Sequence, residues 1–65
     1  MLHFFIEIKS KIDSRKLYAL IGRDGINVTD LGDIVLVYGD ANIEHLTSVL
    51  YYCASFGDIK ATINH

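Results

Sequence analysis

The chain has no proline and only one cysteine, Cys53. It also lacks an excess of positive charge, a run of like charges and a long unbroken apolar segment. Each absence removes a class of protein. With a single cysteine no intramolecular disulfide can form, so this is not a disulfide-stapled scaffold, and a reducing compartment fits it. Six Lys plus Arg against eight Asp plus Glu give a net charge of −2, which provides no general attraction for phosphate backbones and argues against nucleic acid as a partner. The carboxylates are scattered among apolar residues, so the chain does not read as a polyanion mimic. No stretch approaches the roughly 20 apolar residues of a membrane span. The first residues carry no basic region ahead of an apolar run, and Glu7 and Lys9 interrupt that run. The expectation is a soluble, cytoplasmic protein without a membrane partner.

What is present is folding sequence. Hydrophobic residues make up 51% of 65 positions, enough for a single domain spanning residues 1–65 but near the lower size at which one core suffices. Small domains gain stability from disulfides, metals or oligomerisation. With the first unavailable, a partner subunit is the natural aid.

The stretch Gly25 to Asp40, GINVTDLGDIVLVYGD, organises the rest. It reads as a β-hairpin with arms Ile26–Asp30 (β2) and Ile34–Tyr38 (β3). Before it, Leu2–Lys9 alternates Leu2, Phe4, Ile6 and Ile8 against His3, Phe5, Glu7 and Lys9, the period of a half-buried strand, β1. Asp13 or Ser14 can cap a helix α1 over 14–23, with Leu17, Leu20 and Ile21 as its core stripe, and Gly25 is the candidate for positive φ at its end. After the hairpin, Gly39–Asn42 reads as a turn whose Asp40 or Asn42 caps a helix α2 over 42–55. Ile43, Leu46, Leu50 and Cys53 form its stripe, widened by Val49, Tyr52 and Phe56, which leaves Glu44, His45, Ser48 and Tyr51 to water. Gly57 ends it, and Ile59–Asn64 (β4) alternates Ile59, Ala61 and Ile63 inward with Lys60, Thr62 and Asn64 outward.

The order β-α-β-β-α-β predicts an α+β, ferredoxin-like fold: a four-stranded antiparallel sheet with both helices on one face and β1 beside β3 in the middle. Loop length at Leu31, Gly32 and Asp33 leaves the hairpin register open. The open sheet face therefore carries Phe5 beside either Val35 and Val37 or Leu36 and Tyr38. Surplus apolar surface of this kind marks an interface. Phe5, Val35 and Val37 on the sheet, with Tyr52 and Phe56 on α2, are the candidate contacts with a second copy, giving a homodimer, or with another protein.

Residues that could carry chemistry are few. His3, His45 and His65 have no ligand-like spacing to one another or to paired carboxylates, so no metal or other cofactor is expected. Cys53 lies on the inner stripe of α2 and reads as a small core hydrophobe. Gly22 and Gly25 follow a helix, so no helix N-terminus points at a phosphate. No base, nucleophile and stabiliser fall together, and an enzyme is not expected. An aromatic open face can also stack bases, and Phe5 with Tyr38 is a thin version of that pattern.

The segment Leu17–Val28, LYALIGRDGINV, resembles the helix-to-strand junction of ACT regulatory domains, and IVLVYGD, IEHLTSVL and FGDIKATI resemble that family's later elements. The resemblance covers most of the chain at the level of fold pattern. It implies a small-molecule sensing domain, often for amino acids, whose copies pair to form ligand sites. Asn27 would match the Asn of the family's Gly-Ile-Asn turn. Ser10, Lys11 and Asp13 would lie in its ligand loop, where Lys11 and Ile12 stand in place of the usual Pro-Gly. The leading expectation is a non-enzymatic interaction domain that self-associates through an apolar sheet face or the wide face of α2. Ligand sensing and single-stranded nucleic-acid binding are the alternatives.

Overall fold

Two side-chain caps set the helices. The Asp13 carboxylate accepts from the amides of Arg15 and Lys16, and Asn42 Oδ1 accepts from His45 N–H at 2.8 Å, each satisfying amides that the first turn leaves without partners. The computed structural model describes residues 1–64, so His65 lies outside the described residues. Its elements are β1 (Leu2–Ile8), α1 (Ser14–Ile21), β2 (Ile26–Asp30), β3 (Val35–Ala41), α2 (Ile43–Phe56) and β4 (Ile59–Asn64). All strand pairs are antiparallel in the order β2-β3-β1-β4, which puts β1 and β3 in the centre. Both helices lie on one face, an α+β arrangement compatible with a ferredoxin-like one.

The core is the layer between. Phe4, Ile6 and Ile8 from β1, Ile26 from β2, and Val35, Val37 and Ala41 from β3 meet Leu17 and Ile21 of α1 and Leu46, Val49 and Cys53 of α2. The hairpin settles its own register by pairing Asp30 with Val35, which closes a four-residue loop, and Leu31 N–H bonds to Ile34 C=O at 2.9 Å. Ile26, Val28, Val35 and Val37 therefore share the helix side, and Val35 and Val37 are fully buried. This corrects their expected place at an interface. Side chains alternate along a strand, so the register that seats one valine in the core seats both.

Five other expectations are corrected. Helix α1 stops at Ile21, because Gly22 turns to extended backbone and its N–H bonds to Tyr18 C=O at 2.7 Å. Leu20 is 52% exposed, since at about 100° per residue it sits some 80° around the axis from the Leu17–Ile21 seam. Likewise Ile43 is 64% exposed, while His45, expected in water, is half-buried with its Nε2 enclosed and without a partner among the described residues.

The last correction concerns Gly39 to Ala41, which continue β3 instead of turning. Gly39 pairs with Phe4 on one side and Ile26 on the other, and Asp40 N–H bonds to Gly25 C=O at 3.0 Å. The glycine marks a close approach. Its φ is +145°, and a Cβ there would lie 1.8 Å from the Gly25 carbonyl oxygen. Gly39→Ala should therefore cost at least about 3 kcal/mol in denaturant unfolding, combining clash with backbone strain. Gly32→Ala, at φ +95° with no atom within 4 Å of the new methyl, should cost only about 1–2 kcal/mol.

Candidate functional site

On the open face the strands set out a cross-sheet row of Asn27, Tyr38, Phe5 and Thr62. Phe5 and Tyr38 face each other on the two central strands with ring centroids 6.1 Å apart and planes at 27°, an offset-stacked pair. Tyr38 Oη shares a hydrogen bond with Thr29 Oγ1 at 3.2 Å, so the tyrosine ring is held from its far end. The neighbouring row is Thr29, Leu36, Glu7 and Lys60, and at the other side His3 Nδ1 meets the Asp40 carboxylate. The face thus carries one aromatic pair in a polar surround of both charge signs.

The residues named for ligand binding do not converge within one chain. Asn27 is exposed on the open face, level with Tyr38. The Ser10–Asp13 loop leaves the far end of β1, five residues beyond the Phe5 level, about 17 Å along the strand. There Asp13 is committed to its cap, Lys11 is exposed, and Ser10 sits so close to Gly57 that a Cβ on the glycine would meet it at 2.8 Å. A shallow cavity of about 150 Å³ lies at the opposite end of the sheet, lined among others by Arg23, Asp24, Asp40 and His45. That is below the roughly 300–1,000 Å³ of small-molecule sites.

The second surface belongs to α2 and β4. Around the helix, Leu46, Val49 and Cys53 mark the centre of the buried face. Tyr52 and Phe56, named as interface residues, fall on the flank shared with His45. They are half-buried against the core. Arg23, just after α1, lines a cavity with His45 and Ser48, which identifies this flank as the one facing α1. The opposite flank carries Ile43, Leu50 and Ala54 and looks towards β4. Alternation on β4 is as read, since Ile59, Ala61 and Ile63 pair with Ile8, Ile6 and Phe4. Burial is not: Ala61 is exposed and Ile63 is 42% exposed. Helix α1 packs on β2, and α2 on β1 and β3, while on β4 Ile59 packs against the core.

Sequence reasoning missed Ile43, Ala61 and Ile63 as surface. The signal was the topology itself, because a strand order with β1 and β3 central leaves β4 at an edge, and Ala61 offers a helix little to pack on. No protein-family model matches the chain, and no curated protein matches it significantly.

Cys53, the one thiol, is fully buried, and burial pushes its pKa from 9.0 up to about 11. It is held neutral and out of reach as a nucleophile. The sign of the linkage follows. Below pH 9 both folded and unfolded thiols are protonated; above it the unfolded chain releases the proton first, so this contribution to stability is lost as pH rises from about 9 to about 11. Unfolding titrations of wild type and Cys53→Ala should diverge across that window, by roughly 2 kcal/mol. The native thiol should also resist alkylation until denaturant is added.

Proposed function

We propose that this domain is a non-enzymatic ferredoxin-like module that works by associating with a second copy of itself. One observation carries the reading: α1 packs on β2 and α2 on β1 and β3, while Ile43 of α2 and Ala61 and Ile63 of β4 are left exposed. Apolar side chains left exposed on a domain this small mark a contact surface. The Phe5–Tyr38 face is less suited to closing on a partner, because polar and charged residues ring it. Buried, neutral Cys53 supports a role outside nucleophilic catalysis.

A weak dimer, with affinity on the order of micromolar, is the expected outcome. Sedimentation equilibrium should show dimer growing through that range, and Ile63→Lys should weaken it at least about ten-fold while circular dichroism shows the monomer still folded, because the side chain is already half in water. A wild-type monomer at high micromolar concentration would sink the reading.

The stacked aromatic pair on adjacent central strands favours a second reading, single-stranded nucleic acid bound on the open face. Here Tyr38→Ala should abolish a salt-dependent shift of a short oligonucleotide. No shift by wild type at low salt would remove this alternative.

A further inference from the structure

The outer edge of β4 is a hydrogen-bonding surface whose groups can be named. Lys9 N–H bonds to Asp58 C=O at 3.0 Å, and these two residues stand directly opposite in the register that continues through Ile8 with Ile59. In an antiparallel ladder, hydrogen-bonded and non-hydrogen-bonded pairs alternate. Glu7 with Lys60, Phe5 with Thr62 and His3 with Asn64 are then the bonded pairs. Ile59, Ala61 and Ile63 consequently turn their N–H and C=O groups away from β1, towards the free edge. Among the described residues these groups have no backbone partner outside the sheet, and β4 has no neighbour on that side.

Resting on the self-association reading, we infer that two copies join edge to edge through β4, antiparallel, about a two-fold axis through Ala61. That register sets Ala61 against Ala61 and Ile59 against Ile63 of the second copy. The three outward N–H groups and three outward C=O groups of each strand then all find partners, six hydrogen bonds in total by the ladder pattern. Moving the axis one residue either way, to Lys60 or Thr62, leaves the Ile63 or the Ile59 groups unmatched, and the axis at Lys60 also opposes two lysines. With the axis at Ala61, each Lys60 faces a threonine, and Ile59 and Ile63 make cross-strand apolar pairs on the helix side. The strand is complementary to itself in hydrogen bonds, charge and side-chain type.

The other edge does not offer this. The same alternation, anchored by Leu31 N–H to Ile34 C=O and Asp40 N–H to Gly25 C=O, turns Ile26, Val28 and Asp30 outward on β2. Ile26 N–H is already used by Arg23 C=O at 3.0 Å. A two-fold pairing about Val28 would also set Ile26 against the Asp30 carboxylate. The β4 edge has neither a spent donor nor an opposed charge, and an exposed strand edge is a template for another strand.

The test uses the full chain in a Cys53→Ala background. With the axis at Ala61, the two Ala61→Cys residues face each other about 5.5 Å apart at Cα, within disulfide reach. Under mild oxidation Ala61→Cys should form covalent dimer at least about ten-fold faster than Thr62→Cys, whose thiols lie a diagonal apart on the opposite face. Ala61→Pro removes an outward donor while leaving the β1 ladder its bonds. It should abolish the dimer in sedimentation with a folded monomer retained by circular dichroism. A wild-type dimer that survives Ala61→Pro, with Ala61→Cys cross-linking no faster than Thr62→Cys, would overturn edge pairing while leaving self-association intact. A wild-type monomer would overturn both.

Discussion

The pairing of Asp30 with Val35 decides what each face of this molecule is. It closes the loop Leu31–Ile34, which Gly32 N–H braces by donating to Asp30 Oδ1 at 2.8 Å. Because strand side chains alternate, a slip of one residue would turn Leu36 and Tyr38 into the core and expel Val35 and Val37. The register is held at its other end by Gly39, where β3 passes so near Gly25 that no side chain fits. A short loop and a close approach, one at each end of the hairpin, thus fix a core of β-branched residues and an outer face bearing the aromatic pair.

Coverage is the next constraint. Helix α1 has eight residues and contributes only Leu17 and Ile21 to the buried core; α2 has fourteen and contributes Leu46, Val49 and Cys53. These two seams sit over β2, β3 and β1. Ile59 packs against the core where β4 leaves the end of α2, but further along the strand Ala61 and Ile63 are exposed. The exposed flank therefore follows from the lengths and placement of the helices and is not scattered surface hydrophobicity.

Much of this architecture was legible in the residues. Alternation identified β1 and β4, apolar runs on either side of a Gly-Asp break identified the β2–β3 hairpin, cap residues placed both helix starts, and the order of elements placed β1 and β3 in the centre, since each of those inferences depends on local pattern or on chain connectivity. What escaped depended on approach between segments. Gly39 has the composition of a turn, yet it lies within a strand because Gly25 passes against it. Leu20 and Ile43 fit a helical stripe by spacing, but whether a stripe residue is buried depends on where the partner layer ends. The same holds for Ala61 and Ile63, whose inward parity is correct and whose cover is missing. At the candidate site, Asn27 and the Ser10–Asp13 loop looked combinable along the chain and are separated by nearly the length of a strand.

The two apolar surfaces are independent, which matters for how they can be used together. The Phe5–Tyr38 pair projects from the open face, whereas the β4 edge bonds in the plane of the sheet and its isoleucines lie on the helix side. Joining two copies through β4 leaves each aromatic pair uncovered. It places the two on the same side of one continuous eight-stranded sheet, with the β1 strands three spacings, about 14 Å, apart. The proposed edge pairing would not draw on the open face; it would duplicate it. If the aromatic pairs serve as stacking platforms, two of them held at a fixed separation would bind an extended partner more tightly than either alone, because the second contact forms within an already bound complex. On the proposed pairing, association through one surface would double the other.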